Sequence, residues 1–149
     1  MADIVDLSAL LEQIRGFSPL RRMLLATAGT LQGTLSAYFG APVTIEVRSQ
    51  SLRGTTVHRE VDLVCKELDL VACSASTEIV VQDERIRELI ADGSVGLGQI
   101  VALLGVRATF ELADVGSDDD AFWRRYRMGG DGFDYVITET FPAGLYGGA

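Results

Sequence analysis

The most regular hydrophobic pattern lies near the end of the chain. In FDYVITETF, residues 133–141, a strand places Phe133, Tyr135, Ile137, Glu139 and Phe141 on one face. Asp134, Val136, Thr138 and Thr140 fall on the other. TVHREVDLVC, residues 56–65, alternates in the same way: Val57, Arg59, Val61, Leu63 and Cys65 oppose His58, Glu60, Asp62 and Val64. PVTIEVRSQ sets Val43, Ile45 and Val47 against Thr44, Glu46 and Arg48. Further strands are predicted from about Leu68 to Thr77, over RATFELADV and over FWRRYRM, joined through Lys66-Glu67, GSDDD and GGDG.

Helical patterns occupy the early and central parts. Ser18-Pro19 reads as an N-cap followed by proline at the first helical position. From Leu20 to about Phe39, Met23, Leu24, Leu31, Leu35 and Phe39 share a stripe. Gly29 and Gly33 interrupt it, each at a cost of about 1 kcal/mol relative to alanine, so a broken or capped helix is expected. Gln82 to Ala91 predicts an exposed helix ending at Asp92-Gly93, and VGLGQIVALLG a short one closed by Gly105. Together these elements predict one α+β domain over residues 1–149, with residues 1–17 as an N-terminal extension. Its sheet would be largely antiparallel, with helices packed on one face. The two central helices would either cover the core or form helical flaps over an internal pocket.

Composition narrows the chemistry. A net charge of −8 argues against nucleic acid as a partner, because phosphates reward a basic surface. Two cysteines without metal-ligand spacing and a single histidine give a metal or haem site almost no material. Cys65 and Cys73 read as small core hydrophobes of a reduced compartment. The opening MADIVDLSALLEQ is acidic and has no basic segment of the secretory type, and no apolar run reaches membrane-spanning length. A cytoplasmic protein that does not enter membranes is the expectation.

Two strands each carry a charge where the core should be, Arg59 and Glu139. Burying an isolated charge is costly, so each needs a partner or a ligand. One reading is a direct Arg59–Glu139 salt bridge that fixes the register of the sheet. The other is a closed pocket in which Arg59 receives a planar carboxylate through two parallel bonds while Glu139 meets the opposite end of the ligand. Alternation alone leaves both open.

TETFPAGLY, residues 138–146, resembles the C-terminal signature of the chorismate pyruvate-lyase family, with one residue fewer. LLATAGTLQGTL is similar to that family's first helix and pocket-lining turn, and HREVDLV to the strand with its carboxylate-binding arginine. VGLGQI and FWRRYRM follow in the family's order, so the resemblance spans roughly residues 18 to 146. It implies a cofactor-free lyase that converts chorismate to 4-hydroxybenzoate and pyruvate for secondary metabolism or quinone synthesis. It implies Arg59 at the ring carboxylate, with backbone amides near Gly29 and Leu97, and Glu139 at the ring hydroxyl as anchor or proton acceptor. On that basis Glu139→Ala is expected to abolish turnover and leave the fold intact.

The family's Gly-Arg-Thr stretch is replaced here by Ala75, Ser76 and Thr77, so an arginine is missing. Arg107, Arg125 or Arg127 would then compensate at the second carboxylate. The implied ligand is an aromatic or cyclohexadienyl carboxylate, bound by a monomer or small homo-oligomer. Two other readings use the same pocket: a non-catalytic aromatic-acid-binding module, or a lyase-like protein recruited to cyclisation or dehydration of another carboxylate-bearing intermediate. His58 falls on a polar face, and Ser74 and Ser76 have no histidine for a triad.

Overall fold

A computed structural model describes residues 2–4, 6–54, 56–92, 105 and 108–147. The chain runs β1 (Ala2–Ile4), α1 (Leu7–Ile14), α2 (Pro19–Ala26), α3 (Leu31–Phe39), β2 (Thr44–Arg53), β3 (Thr56–Cys65), β4 (Leu70–Val81), α4 (Glu84–Asp92), β5 (Ala108–Ser117), β6 (Ala121–Gly130) and β7 (Phe133–Pro142). A short 3-10 turn, Ala143–Leu145, follows β7. The fold is a single α+β domain. Strands β2 to β7 pair antiparallel, and β1 adds to the edge of β5 in parallel, giving the order β1-β5-β6-β7-β4-β3-β2.

The alternation read from the sequence becomes a two-faced sheet. Along β7 the odd-numbered residues 133 to 141 are all buried, and Asp134, Val136, Thr138 and Thr140 reach the other side. The same division holds in β3 and β6. One face packs on the core with Leu24, Leu25, Leu31 and Leu35 of α2 and α3, while the other meets solvent. Phe122 stacks on Phe141 at 4.8 Å between ring centres, and Tyr146 closes the core by donating to the Ala72 carbonyl at 2.6 Å.

The predicted break in the first helical stretch separates α2 from α3. Gly29 sits in it at φ +85°, a conformation that costs glycine little. Gly33, by contrast, continues inside α3. Within the stretch 1–17, the described residues include β1 and α1. Asp6 caps α1 by accepting from the Ala9 amide at 3.1 Å, Leu10 and Ile14 are buried, and β1 is part of the sheet. The second central helix, VGLGQIVALLG, lies outside the described residues apart from Gly105.

Among the described residues, three bulges adjust the antiparallel pairs of the sheet. Between Val47 and Ser49 the register of β2 against β3 shifts, leaving Arg48 as the extra residue. Inward-facing positions in β2 therefore change from odd to even numbers, and Gln50 and Leu52 stand opposite Arg59 and Val57. A similar shift at Leu63/Val64 makes Ala72 the extra residue of β4, so Ala72 and its neighbour Cys73 are both buried. The third, at Leu112/Asp114, leaves Ala113 extra in β5.

Candidate active site

Arg59 and Glu139 lie on the same, inner face of the sheet, 2% and 6% exposed. The register fixes this: Arg59 pairs with Thr77 on β4, Thr77 with Ile137 on β7, and Glu139 is two residues further along that strand. Two strand spacings and a two-residue offset put their backbones about 12 Å apart. A direct bond between them is not formed.

The partner of Glu139 is Arg124, directly opposite it on β6. Arg124 is 0% exposed, and its Nε donates to Glu139 Oε1 at 2.6 Å. Its Nη1 donates to the carbonyls of Leu25 at 2.9 Å and Thr27 at 2.6 Å, at the C-terminal end of α2. Those carbonyls belong to the group a helix leaves unsatisfied, and a cation there also suits the helix dipole. Arg124 thus fastens α2 to the sheet. Tyr126 donates its hydroxyl to Glu139 Oε2 at 3.2 Å and lays its ring under the Arg124 guanidinium, 4.4 Å from ring centre to Cζ. Nη2 of Arg124 is buried and makes no hydrogen bond among the described residues.

Burial disfavours the charge of Arg124, but the Glu139 carboxylate and the Tyr126 phenol outweigh it and hold its pKa above the ordinary guanidinium value. Burial, and next the negative charge of Glu139, push the Tyr126 phenol well up. At Arg59 burial prevails and lowers the pKa, with Tyr135 offsetting it only in part. Both guanidiniums remain protonated at any ordinary pH.

Arg125 and Arg127, proposed from the sequence as substitutes for the missing arginine, are exposed on the outer face of β6, away from Arg59 and Glu139. Arg127 pairs there with Asp134 at 3.2 Å. Strand parity is the reason: of the FWRRYRM arginines only Arg124 shares the inner face with Phe122, Tyr126 and Met128. The alternation test that exposed Arg59 and Glu139 contained this answer too. Gly29 lies two residues beyond Thr27, close in sequence to the cluster. Leu97 and Arg107 lie outside the described residues.

The expectation that Glu139→Ala leaves the fold intact needs correction. Removing the carboxylate would strand the buried Arg124 charge, so the uncharged isostere Glu139→Gln is the cleaner probe.

Toward the β2–β3 hairpin the inner face opens into a cavity of about 560 Å³. Gln50, Leu52, Val57 and Val81 from the strands and Arg87 and Ile90 from α4 are among the residues around it. Gln50 stands opposite Arg59, and Val57 is two residues from it, so the cavity adjoins the Arg59 end of the face. Asp83 caps α4 beside it, accepting from the amides of Arg85 at 2.9 Å and Ile86 at 3.3 Å.

The outer face carries ordinary surface chemistry. His58 contacts Glu60 at 3.0 Å, Ser74 donates to Asp62 and Ser76 to Glu60. Cys65 and Cys73 are buried free thiols, and burial pushes the Cys73 thiol well up. Among the described residues no group of three or more His, Cys, Asp or Glu side chains is placed to hold a metal ion, and no helix is long and apolar enough to cross a membrane. The sequence matches no family model and no curated protein.

Proposed function

We propose that this protein is a cofactor-independent carbon–oxygen lyase of the chorismate pyruvate-lyase type, releasing pyruvate from chorismate and leaving 4-hydroxybenzoate. The observation that carries the reading is the burial of Arg59 and Glu139 on one face with β4 between them, their backbones about 12 Å apart. A six-membered ring with a carboxylate at one end and a hydroxyl at the other, plus a hydrogen bond of about 3 Å at each end, fits that separation.

Arg59 takes the ring carboxylate through two parallel N–H bonds. Glu139, already bonded by Arg124 and Tyr126, keeps acceptor capacity on both oxygens and takes the ring hydroxyl proton as a hydrogen bond. Arg124 Nη2 donates to the oxygen of the same hydroxyl. With the ring fixed, the bond from ring carbon to enolpyruvyl oxygen breaks and the proton on the hydroxyl-bearing carbon leaves. The ring becomes aromatic, and the departing enolpyruvate takes up a proton to become pyruvate. Aromatisation supplies the driving force, so orientation and one assisted proton transfer suffice.

One observation favours a second reading. Each oxygen of Glu139 already accepts a hydrogen bond, which makes it a better anchor than a base. A binding module that holds an aromatic acid without turnover would use the same contacts. Purified protein mixed with chorismate separates the two. Pyruvate and an aromatic acid absorbance, both lost in Arg59→Met, support the lyase. Tight 4-hydroxybenzoate binding without pyruvate supports the module, and neither result overturns both.

A further inference from the structure

Tyr135 lies at the middle of the β7 alternation with 0% exposure. Its hydroxyl makes no hydrogen bond among the described residues. The two other buried tyrosines behave differently: Tyr126 donates to Glu139 and Tyr146 to the Ala72 carbonyl. An unmatched buried hydroxyl costs about 1–3 kcal/mol, and phenylalanine would offer the same ring without that cost. The ring itself is accounted for, packed against Phe133 at 5.0 Å. The oxygen needs another reason.

Its neighbourhood suggests one. Tyr135 pairs with Ile79 on β4, which pairs with Val57 on β3. Arg59 is the next residue of β3 on the same face. The phenol and the guanidinium are near enough for each to act on the other's charge. Val57, in the same cross-strand row as Tyr135 and two residues from Arg59, also lines the cavity.

We infer that the Tyr135 hydroxyl donates a hydrogen bond to the ligand carboxylate held by Arg59, forming a two-residue site selective for anionic ring acids. The inference rests on the reading that Arg59 receives a carboxylate. Each carboxylate oxygen has two acceptor positions, so a guanidinium pair and a phenol can be served together. Burial raises the phenol pKa beyond its ordinary value, which keeps the proton in place for donation.

The test is calorimetric binding of 4-hydroxybenzoate and benzoate to wild type, Arg59→Met and Tyr135→Phe, with the thermal midpoint of each protein. Tyr135→Phe should keep or raise the midpoint, because the hydroxyl it removes has no hydrogen-bond partner among the described residues. Its affinity for both acids should fall about 10- to 100-fold, the range for a hydrogen bond to a charged group. Unchanged affinity in Tyr135→Phe, with binding lost in Arg59→Met, overturns the role of Tyr135 and leaves the carboxylate site standing. A lowered midpoint with unchanged affinity means a structural role and also overturns it. Failure of wild type to bind either acid overturns the carboxylate site and this inference together.

Discussion

Arg124 and Arg59 are buried to nearly the same depth on one face of one sheet, yet their surroundings pull them in opposite directions. Arg124 has a carboxylate at 2.6 Å, two helix-end carbonyls and an aromatic ring, and these raise its pKa despite complete burial. Arg59 lies toward the cavity, where desolvation outweighs what Tyr135 returns. A guanidinium held by its own protein is a fastener. At Arg59 burial prevails, and under the proposed function a bound carboxylate would offset it.

Arg124→Met should show the largest effect of any change considered. It leaves Glu139 buried without its counter-charge, at a cost of about 3–5 kcal/mol, measurable by chemical denaturation. Replacing both partners, Arg124→Met with Glu139→Leu, should recover most of that loss, since two apolar side chains need no compensation. If the double variant is as unstable as the single one, the helix-end carbonyls dominate and the ion pair is secondary. Tyr126→Phe removes one bond to the carboxylate and should cost about 1.5 kcal/mol. Arg59→Met should lose less than half the stability that Arg124→Met loses, while abolishing binding of 4-hydroxybenzoate. Equal losses would erase the distinction between the two arginines. The smallest effect belongs to the cavity side. Bonding to Arg85 first, and to backbone amides, holds the Asp83 carboxyl below its ordinary value of 3.8. A depressed carboxyl contributes stability above 3.8 that is lost as pH falls through the lower folded value. The protection of α4 amides relative to their intrinsic exchange rates should therefore fall below about pH 4, and Asp83→Asn should remove that pH dependence.

How far the sequence reveals this arrangement depends on the range of the information needed. Parity is local, so the inward placement of Arg59, Glu139 and Tyr135 could be read from the alternation. Strand order is not local. Nothing in HREVDLV or FDYVITETF says that β4 lies between them while β6 lies beside β7, and this decides that Glu139 meets Arg124 and not Arg59. The inward position of Arg124 was within reach, because Phe122, Tyr126 and Met128 mark its face. Residues 1–17 also carried a usable signal, with Asp6 as cap and Leu7, Leu10, Leu11 and Ile14 at helical spacing. The inward positions of Gln50 and Leu52 had none, since a bulge leaves no mark in a simple alternation.

That bulge has a consequence beyond re-aiming side chains. Among the described residues β2 is the last strand of the sheet, and such a margin carries backbone donors and acceptors that another chain could pair with. The extra residue at the kink is a cation, Arg48, tethered to Asp62 at 3.0 Å. A second copy aligning there would meet a mismatched ladder and a fixed positive charge, so the sheet is guarded against growing by self-addition along this border.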